Sequence, residues 1–270
     1  MCGITGFIQY DGGAADDLSR HCQSMADTIR HRGPDAGGVW VDPTFPLALG
    51  HRRLSIIDLT DAGAQPMVSA SGRYVLSFNG EVYNFPRLRQ EDGVSAYPFR
   101  GHSDTEVILA AVQHLGVEAA VSKFEGMFAL ALWDTEERCL WLARDRVGKK
   151  PLYYGWCGNS FLFGSELKAL RQHPDFEREL DRNALGQYLQ YGWVSQPRSI
   201  YKKVRKLPPG SLLKIPQACE PWSASPTPYW SAADVAEHGE RNRFTGSYEE
   251  AIGQLDTVLH QAVGDRMVAD

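Results

Sequence analysis

Residues 127–165 read MFALALWDTEERCLWLARDRVGKKPLYYGWCGNSFLFGS. Four short apolar runs stand in this stretch: MFALALW (127–133), CLWLAR (139–144), PLYYGW (151–156) and SFLFGS (160–165). Charged or Gly-containing turns separate them. That spacing predicts strands joined as hairpins, and hence antiparallel sheets. An unbroken run such as MFALALW leaves no polar face, so its sheet is expected to be covered on both sides. Two stacked sheets with helices outside would satisfy this.

Toward the N-terminus, GITGFIQY (3–10) is strand-like and Asp11-Gly12-Gly13 is a turn signal. Leu18, Cys22, Met25, Ala26 and Ile29 recur at helical spacing, and a loop follows at His31-Arg32-Gly33-Pro34-Asp35. Apolar segments at 38–42, 47–53 and 73–79 predict further strands, the last broken by the turn dipeptide Asn79-Gly80. Ser103 and Glu106 form a predicted capping box for a helix carrying Val107, Ile108, Ala111, Val112 and Leu115. Toward the C-terminus, helices are expected at 166–171 and 182–191, with Gly192 past the end of the second.

From about residue 200 the character changes. Lys206-Leu207-Pro208-Pro209-Gly210 is a loop, and the proline-punctuated 216–228 reads as a linker. Ser247 and Glu250 cap a last helix, whose Ile252, Leu255, Leu259, Ala262 and Val263 make an apolar face that wants a partner. The resulting division is a domain over 1–215, a linker over 216–246 and the start of another domain over 247–270.

The 270 residues are 43% hydrophobic and 23% charged, an ordinary globular balance that needs no disulfide or metal to hold its core. No apolar run of about 18 residues exists, so no membrane span is expected. The first ten residues lack a signal pattern, so the expected location is cytoplasmic. A net charge of −5 with interspersed signs argues against nucleic acid as a partner. The basic clusters at Arg144, Arg146, Lys149, Lys150 and at Lys202, Lys203, Arg205, Lys206 read as solvated loops. The cysteines 2, 22, 139, 157 and 219 form no C-x-x-C, so neither a disulfide framework nor a zinc site is expected.

Cys2 stands apart by position. Removal of Met1 would leave a thiol and a free α-amine on one residue, with ordinary pKa values of about 8.5 and about 7.7–8.0. Such an amine can serve as base near neutral pH, directly or through water, without a histidine. Gly3 would let a substrate approach the backbone. Attack on an amide develops an oxyanion, and each preorganised donor to it is worth roughly 2.7–4 kcal/mol. Asn79-Gly80 offers a side-chain amide and a backbone N–H. Arg52 and Arg53 are candidates for a substrate carboxylate, and Asp104 for an ammonium. Each of these also has a bland reading: a chance cysteine, a plain turn, a helix-start acid.

Ten blocks carry a family resemblance: MCGITGF (1–7), HRGPDAGG (31–38), LGHRRLSIIDL (49–59), AGAQPM (62–67), FNGEVYN (78–84), SDTEVIL (103–109), FEGMFALALWD (124–134), ARDRVGKKPLYY (143–154), GSELKAL (164–170) and IYKKVRKLPPG (200–210). With them the chain resembles the class II glutamine amidotransferase domain of glutamine-hydrolysing asparagine synthetases. The resemblance implies an α+β, four-layer αββα N-terminal-nucleophile hydrolase sandwich. It implies Cys2 as nucleophile, and Asn79 and Gly80 as oxyanion hole. It gives Arg53 the α-carboxylate of L-glutamine and Asp104 its α-amine, with Glu81 and Ile56 lining the pocket. It implies no metal or cofactor for glutamine hydrolysis. ATP and Mg would serve a C-terminal synthetase domain that begins near Arg266-Met267-Val268-Ala269-Asp270 and converts aspartate to asparagine. A homodimer is left open.

The chain departs from the family pattern at Asp92, Gly93 and Pro98, which shorten a helix, and at Gly101, where threonine is usual. Three other readings stand beside the first. One is an amidotransferase serving a cell-surface sugar or other acceptor. Another is a non-catalytic docking domain on the same scaffold. The last is a papain-like pairing of Cys2 with His51 or His102.

Overall fold

The computed structural model describes residues 2–56 and 58–267. Met1, and Val268, Ala269 and Asp270 of the segment expected to open a synthetase domain, lie outside them. The first half contains β1 (Gly3–Gln9), α1 (Ala15–Asp27), β2 (Ala36–Val41), β3 (Leu47–Arg53), β4 (Met67–Val68), β5 (Tyr74–Val82), α2 (Phe85–Arg89), α3 (Asp104–Leu115) and α4 (Val117–Lys123). Then come β6 (Gly126–Asp134), β7 (Cys139–Arg144), β8 (Tyr153–Cys157), β9 (Ser160–Gly164), α5 (Leu167–Leu170), α6 (Arg182–Tyr191), β10 (Val204–Lys206), β11 (Ser211–Pro216), β12 (Thr227–Pro228), α7 (Ala232–Arg241) and α8 (Tyr248–Gly264).

The strands form two antiparallel sheets, ordered β10-β8-β9-β1-β3-β2 and β12-β11-β7-β6-β5-β4. The hairpins expected in 127–165 split between them: β6 and β7 pair in one sheet, β8 and β9 in the other. Alternation of side chains across each strand then builds the layers. Ile4, Ile8, Leu47 and Leu49 meet Val75, Ala129, Ala131 and Trp133 between the sheets. Phe7 and Ala48 face outward onto Leu18, Cys22, Met25 and Ile29 of α1. Leu76, Phe78 and Leu130 face outward onto Val107, Ile108 and Ala111 of α3. The result is the αββα sandwich, with MFALALW apolar on both faces because both are covered.

Polar ties cross the gap as well. The Ser77 hydroxyl donates to Gly50 O at 3.0 Å, and His51 Nε2 to Phe78 O at 2.8 Å. Three local expectations change. Asn79-Gly80 is not a turn: β5 runs through it to Val82, with Asn79 opposite Ala129 and Gly80 opposite Phe128. Glu106 does not close a capping box. Ser103 accepts its N–H, but its carboxylate reaches past the cap to the N–H groups of Arg100 and Gly101, at 2.8 and 2.9 Å. Within the segment read as a linker, β12 joins the edge of a sheet, Trp222 lies beneath Arg205, and α7 forms with Ser231 as its cap. Helix α2 is short, as Asp92 and Gly93 suggested. Helix α8 starts at a complete Ser247–Glu250 capping box and leaves Leu255, Val258 and Leu259 exposed. No helix among the described residues is long and apolar enough to cross a membrane.

Trp133 fills the inter-sheet layer with no exposed surface, and its indole N–H donates to Asp42 Oδ2 at 2.7 Å. Trp133→Ala is expected to cost roughly 3–5 kcal/mol, measured by urea unfolding; a loss under about 1 kcal/mol would contradict this layer assignment.

Candidate active site

The period-two alternation that builds the core also builds the site. Cys2 precedes β1 with the parity of Ile4 and Ile8, so it looks into the gap between the sheets. Asn79 and Glu81 continue the face of Val75 and Ser77. Arg53 shares the face of Leu47, Leu49 and His51. Arg52, the other arginine considered, falls on the opposite face, where it donates to Ala26 O at 3.3 Å and pairs with Asp27. One cavity of about 100 Å3 is lined by Cys2, Arg53, Ile56, Asn79, Gly80, Glu81 and Asp104. Gln65, Thr105, Met127 and Lys150 are also in its wall.

Several of these residues are held by hydrogen bonds to their neighbours. The Arg32 Nε donates to the Cys2 carbonyl at 2.9 Å, and its Nη1 to Glu166 at 3.0 Å. The Leu54 N–H lies 3.4 Å from the Cys2 sulfur. Burial pushes the thiol pKa up, and the Asp104 carboxylate adds to this; the Leu54 N–H and the Arg53 guanidinium work against it. The resting thiol is therefore protonated at neutral pH and needs a base.

Asn79 is fully buried, and neither end of its amide has a partner among the described residues. An unpaired buried polar group costs about 1–3 kcal/mol. Gly80 permits the close approach beside it: a Cβ there would lie 2.1 Å from the Met127 carbonyl oxygen. The Arg53 guanidinium donates to Thr60 O at 3.0 Å and to Asp58 O, tying down the loop that carries Ile56. Gly63 makes room for it, since a Cβ would stand 2.1 Å from Arg53 Nη2. Gly101 is as closely packed. Its Cβ would strike Asp58 Oδ2 at 2.3 Å, and that carboxylate accepts the Thr60 and His102 N–H groups.

Asp104 begins α3 with its carboxylate accepting the Val82 N–H at 3.0 Å. Burial raises its pKa to about 6, against the opposing Val82 and Thr105 hydrogen bonds. His51 is buried and held neutral, its pKa lowered by burial to about 4. Among the described residues that line the cavity there is no histidine, and the papain-like pairing is not favoured. No cluster of three or more metal-ligating side chains occurs among the described residues.

Four wall residues escaped the sequence reading. Gln65 accepts the Phe78 N–H through Oε1 at 2.7 Å and faces Thr105 Oγ1 at 3.3 Å through Nε2. Met127 shares the parity of Ala129 and Ala131, which strand alternation alone could have shown. Lys150 belonged to a cluster read as solvated, yet it is only 4% exposed.

A cysteine, an amide unpaired among the described residues, an arginine and a buried carboxylate thus share one cleft between the two sheets of an αββα sandwich. Residues 1–230 match the family described as "Glutamine amidotransferase domain". The chain is 32% identical over 274 residues to asparagine synthetase [glutamine-hydrolyzing] 3 of Bacillus subtilis, covering 100% of this chain and 42% of that protein. It is 39% identical over 216 residues to asparagine synthetase 1 of the same organism, covering 80% of this chain and 33% of that protein. Among solved structures, the glutamine phosphoribosylpyrophosphate amidotransferase from B. subtilis shares the fold, with TM-score 0.62 and 19% identity over 84% of this chain and 49% of that one. The chain belongs to the glutamine amidotransferase domain family, and is homologous to the N-terminal part of glutamine-hydrolysing asparagine synthetases. It spans well under half the length of those relatives. The non-catalytic docking reading is not favoured.

The Asp104 pKa sets a sign. A carboxyl with a raised native pKa binds more protons folded than unfolded between its ordinary value near 3.8 and about 6, so its ionisation costs stability as pH rises through that window. Asp104→Asn is expected to gain ~1–3 kcal/mol over wild type on going from pH 4 to pH 7.5, read by urea unfolding at both. A pH-independent difference would refute the raised pKa.

Proposed function

We propose that this domain hydrolyses L-glutamine to glutamate and ammonia at Cys2. The observation that carries this reading is the Asn79 amide, buried without a partner on the wall of the cavity that holds the thiol. A donor left unpaired in the resting protein is ready for an oxygen that becomes negative only during reaction.

Once Met1 is gone, the α-amine of Cys2 takes the thiol proton. The sulfur bonds to the carboxamide carbon, and the carbonyl pair moves onto oxygen. Asn79 Nδ2 and the Gly80 N–H stabilise that oxyanion. It collapses as the C–N bond breaks, the amine's proton passes to the leaving nitrogen, and ammonia departs. Water then attacks the γ-glutamyl thioester, and the released thiol leaves glutamate behind. Arg53 holds the substrate α-carboxylate, Asp104 its α-ammonium, and Glu81 and Ile56 the sides of the pocket. No metal or other cofactor enters these steps.

The domain assignment that fits this reading is a glutaminase domain over 1–215, a connection over 216–246 and the start of a synthetase domain at 247. In the longer protein the ammonia would pass to that C-terminal domain, which would use ATP and Mg to convert aspartate to asparagine. Support comes from the greater length of the relatives and from the apolar face of α8, which the described residues leave uncovered. The five free cysteines suit a reducing compartment, and we assign the protein to the cytoplasm.

Glutamate release from glutamine tests the reading. Cys2→Ala is expected to abolish it, and Asn79→Ala to lower kcat by about 10²–10³ while Cys2 still reacts with a glutamine-analogue electrophile. Equal rates for wild type and Cys2→Ala would refute the assignment. Gly63→Ala, which crowds Arg53, is expected to raise KM for glutamine more than it lowers kcat; unchanged KM would remove Arg53 from substrate binding.

A further inference from the structure

The loop after β7 is wound around two buried side chains. Asp145 accepts the N–H groups of Phe128, Val147, Lys149 and Lys150 at 3.2, 3.2, 2.9 and 2.9 Å. Arg144 donates from Nε to Lys150 O at 2.8 Å and from Nη2 to Gly148 O at 2.8 Å. Lys150 is thus fixed at both its N–H and its C=O, and its side chain forms part of the cavity wall with Cys2 and Glu81.

The charged groups lining that cavity, among the described residues, are Arg53, Glu81, Asp104 and Lys150. Arg53 is engaged by the Thr60 and Asp58 carbonyls and, on the reading above, by the substrate carboxylate. Around Lys150 stand Glu81 from β5, Asp145 from its own loop, Arg32 from the turn after α1, and Cys2. Around Cys2 stand Arg53 and Asp104, with the Leu54 N–H. Beyond its own α-amine, a thiolate formed here would otherwise share the cavity with the Asp104 and Glu81 carboxylates and an arginine already engaged.

Resting on the amidotransferase reading, we propose that Lys150 is a positioning residue for the nucleophile: its buried ammonium neutralises Glu81 across the cavity and so favours the thiolate of Cys2. Burial lowers the Lys150 pKa while Glu81 and Cys2 raise it, as this arrangement requires. The charge thereby compensates for the burial that holds the thiol protonated, and leaves Arg53 for substrate.

The test is alkylation of Cys2 by iodoacetamide against pH, followed on peptides by mass. The thiolate attacks the methylene carbon, the C–S bond forms as C–I breaks, and iodide leaves. No glutamine is needed, so substrate binding does not enter. Half-buried Cys219, in the segment near Tyr10, serves as internal reference. Lys150→Met is expected to raise the Cys2 midpoint by about one pH unit, slowing alkylation at pH 7 about tenfold and leaving Cys219 unchanged. Lys150→Arg is expected to hold the wild-type midpoint. Glu81→Gln alone, which leaves the loop untouched, is expected to lower it, and the Glu81→Gln/Lys150→Met pair to return toward wild type. An unmoved midpoint in Lys150→Met or in Glu81→Gln, or an equal change at Cys219, overturns the proposal. Wild-type glutamate release is measured alongside. If it is present while the midpoint stays fixed, only the role of Lys150 falls; if wild type releases none, the amidotransferase reading falls instead.

Discussion

Strands β1 and β3 pair with Gly3 opposite Arg52 and Ile4 opposite His51. A slip of one residue in that pairing would turn Ile4 and Ile8 out of the inter-sheet core and carry Cys2 away from the gap. The register is secured on both sides. Phe7, on the other face, is wedged against α1, and Gly6 lies so close to the Ala48 carbonyl that a Cβ would come within 2.4 Å. Arg32 then holds the carbonyl of Cys2 itself, and is anchored by Glu166, which also meets His31 and Lys168. Cys2, the proposed nucleophile, is set by the same apolar packing that closes the sandwich.

What the core stabilises, the cavity partly gives back. Among the described residues the Asn79 amide has no partner, Asp104 is a carboxylate in a buried setting, and Lys150 is a buried ammonium. Each is unfavourable in the resting molecule, and on the proposed reading each would be engaged by a zwitterionic amide. The close-packed glycines 63, 80 and 101 show how tightly the surrounding backbone is drawn around these groups. Gly101 in particular makes room for the Asp58 carboxylate, which accepts the Thr60 and His102 N–H groups.

The layers were legible because strand-length apolar runs and their turns determine which segments pair. Helix α6 ended at Gly192, with φ 74°, and α8 began at Ser247, because caps are written in local sequence. The linkage of Arg53 rather than Arg52 to the cavity follows from parity once the inner face of β3 is known. Other features depended on distant contacts. Asn79-Gly80 looks like a turn, yet the partner strand β6 extends β5 through it. Lys150 looks solvated, yet Arg144 and Asp145 fold its loop inward. Helix α7 is wholly exposed, and its apolar side chains are three alanines and Val235, a stripe too shallow to announce it.

The central claim is that the sulfur of Cys2, as the first residue of the processed chain, carries the acyl group of glutamine during turnover. Acid-quenching the protein during steady-state hydrolysis and weighing its N-terminal peptide tests this directly. The account predicts a peptide beginning at Cys2 and heavier by one γ-glutamyl group, which hydroxylamine removes. Turnover with an unmodified Cys2 peptide, or with Met1 still attached to the active protein, would contradict it.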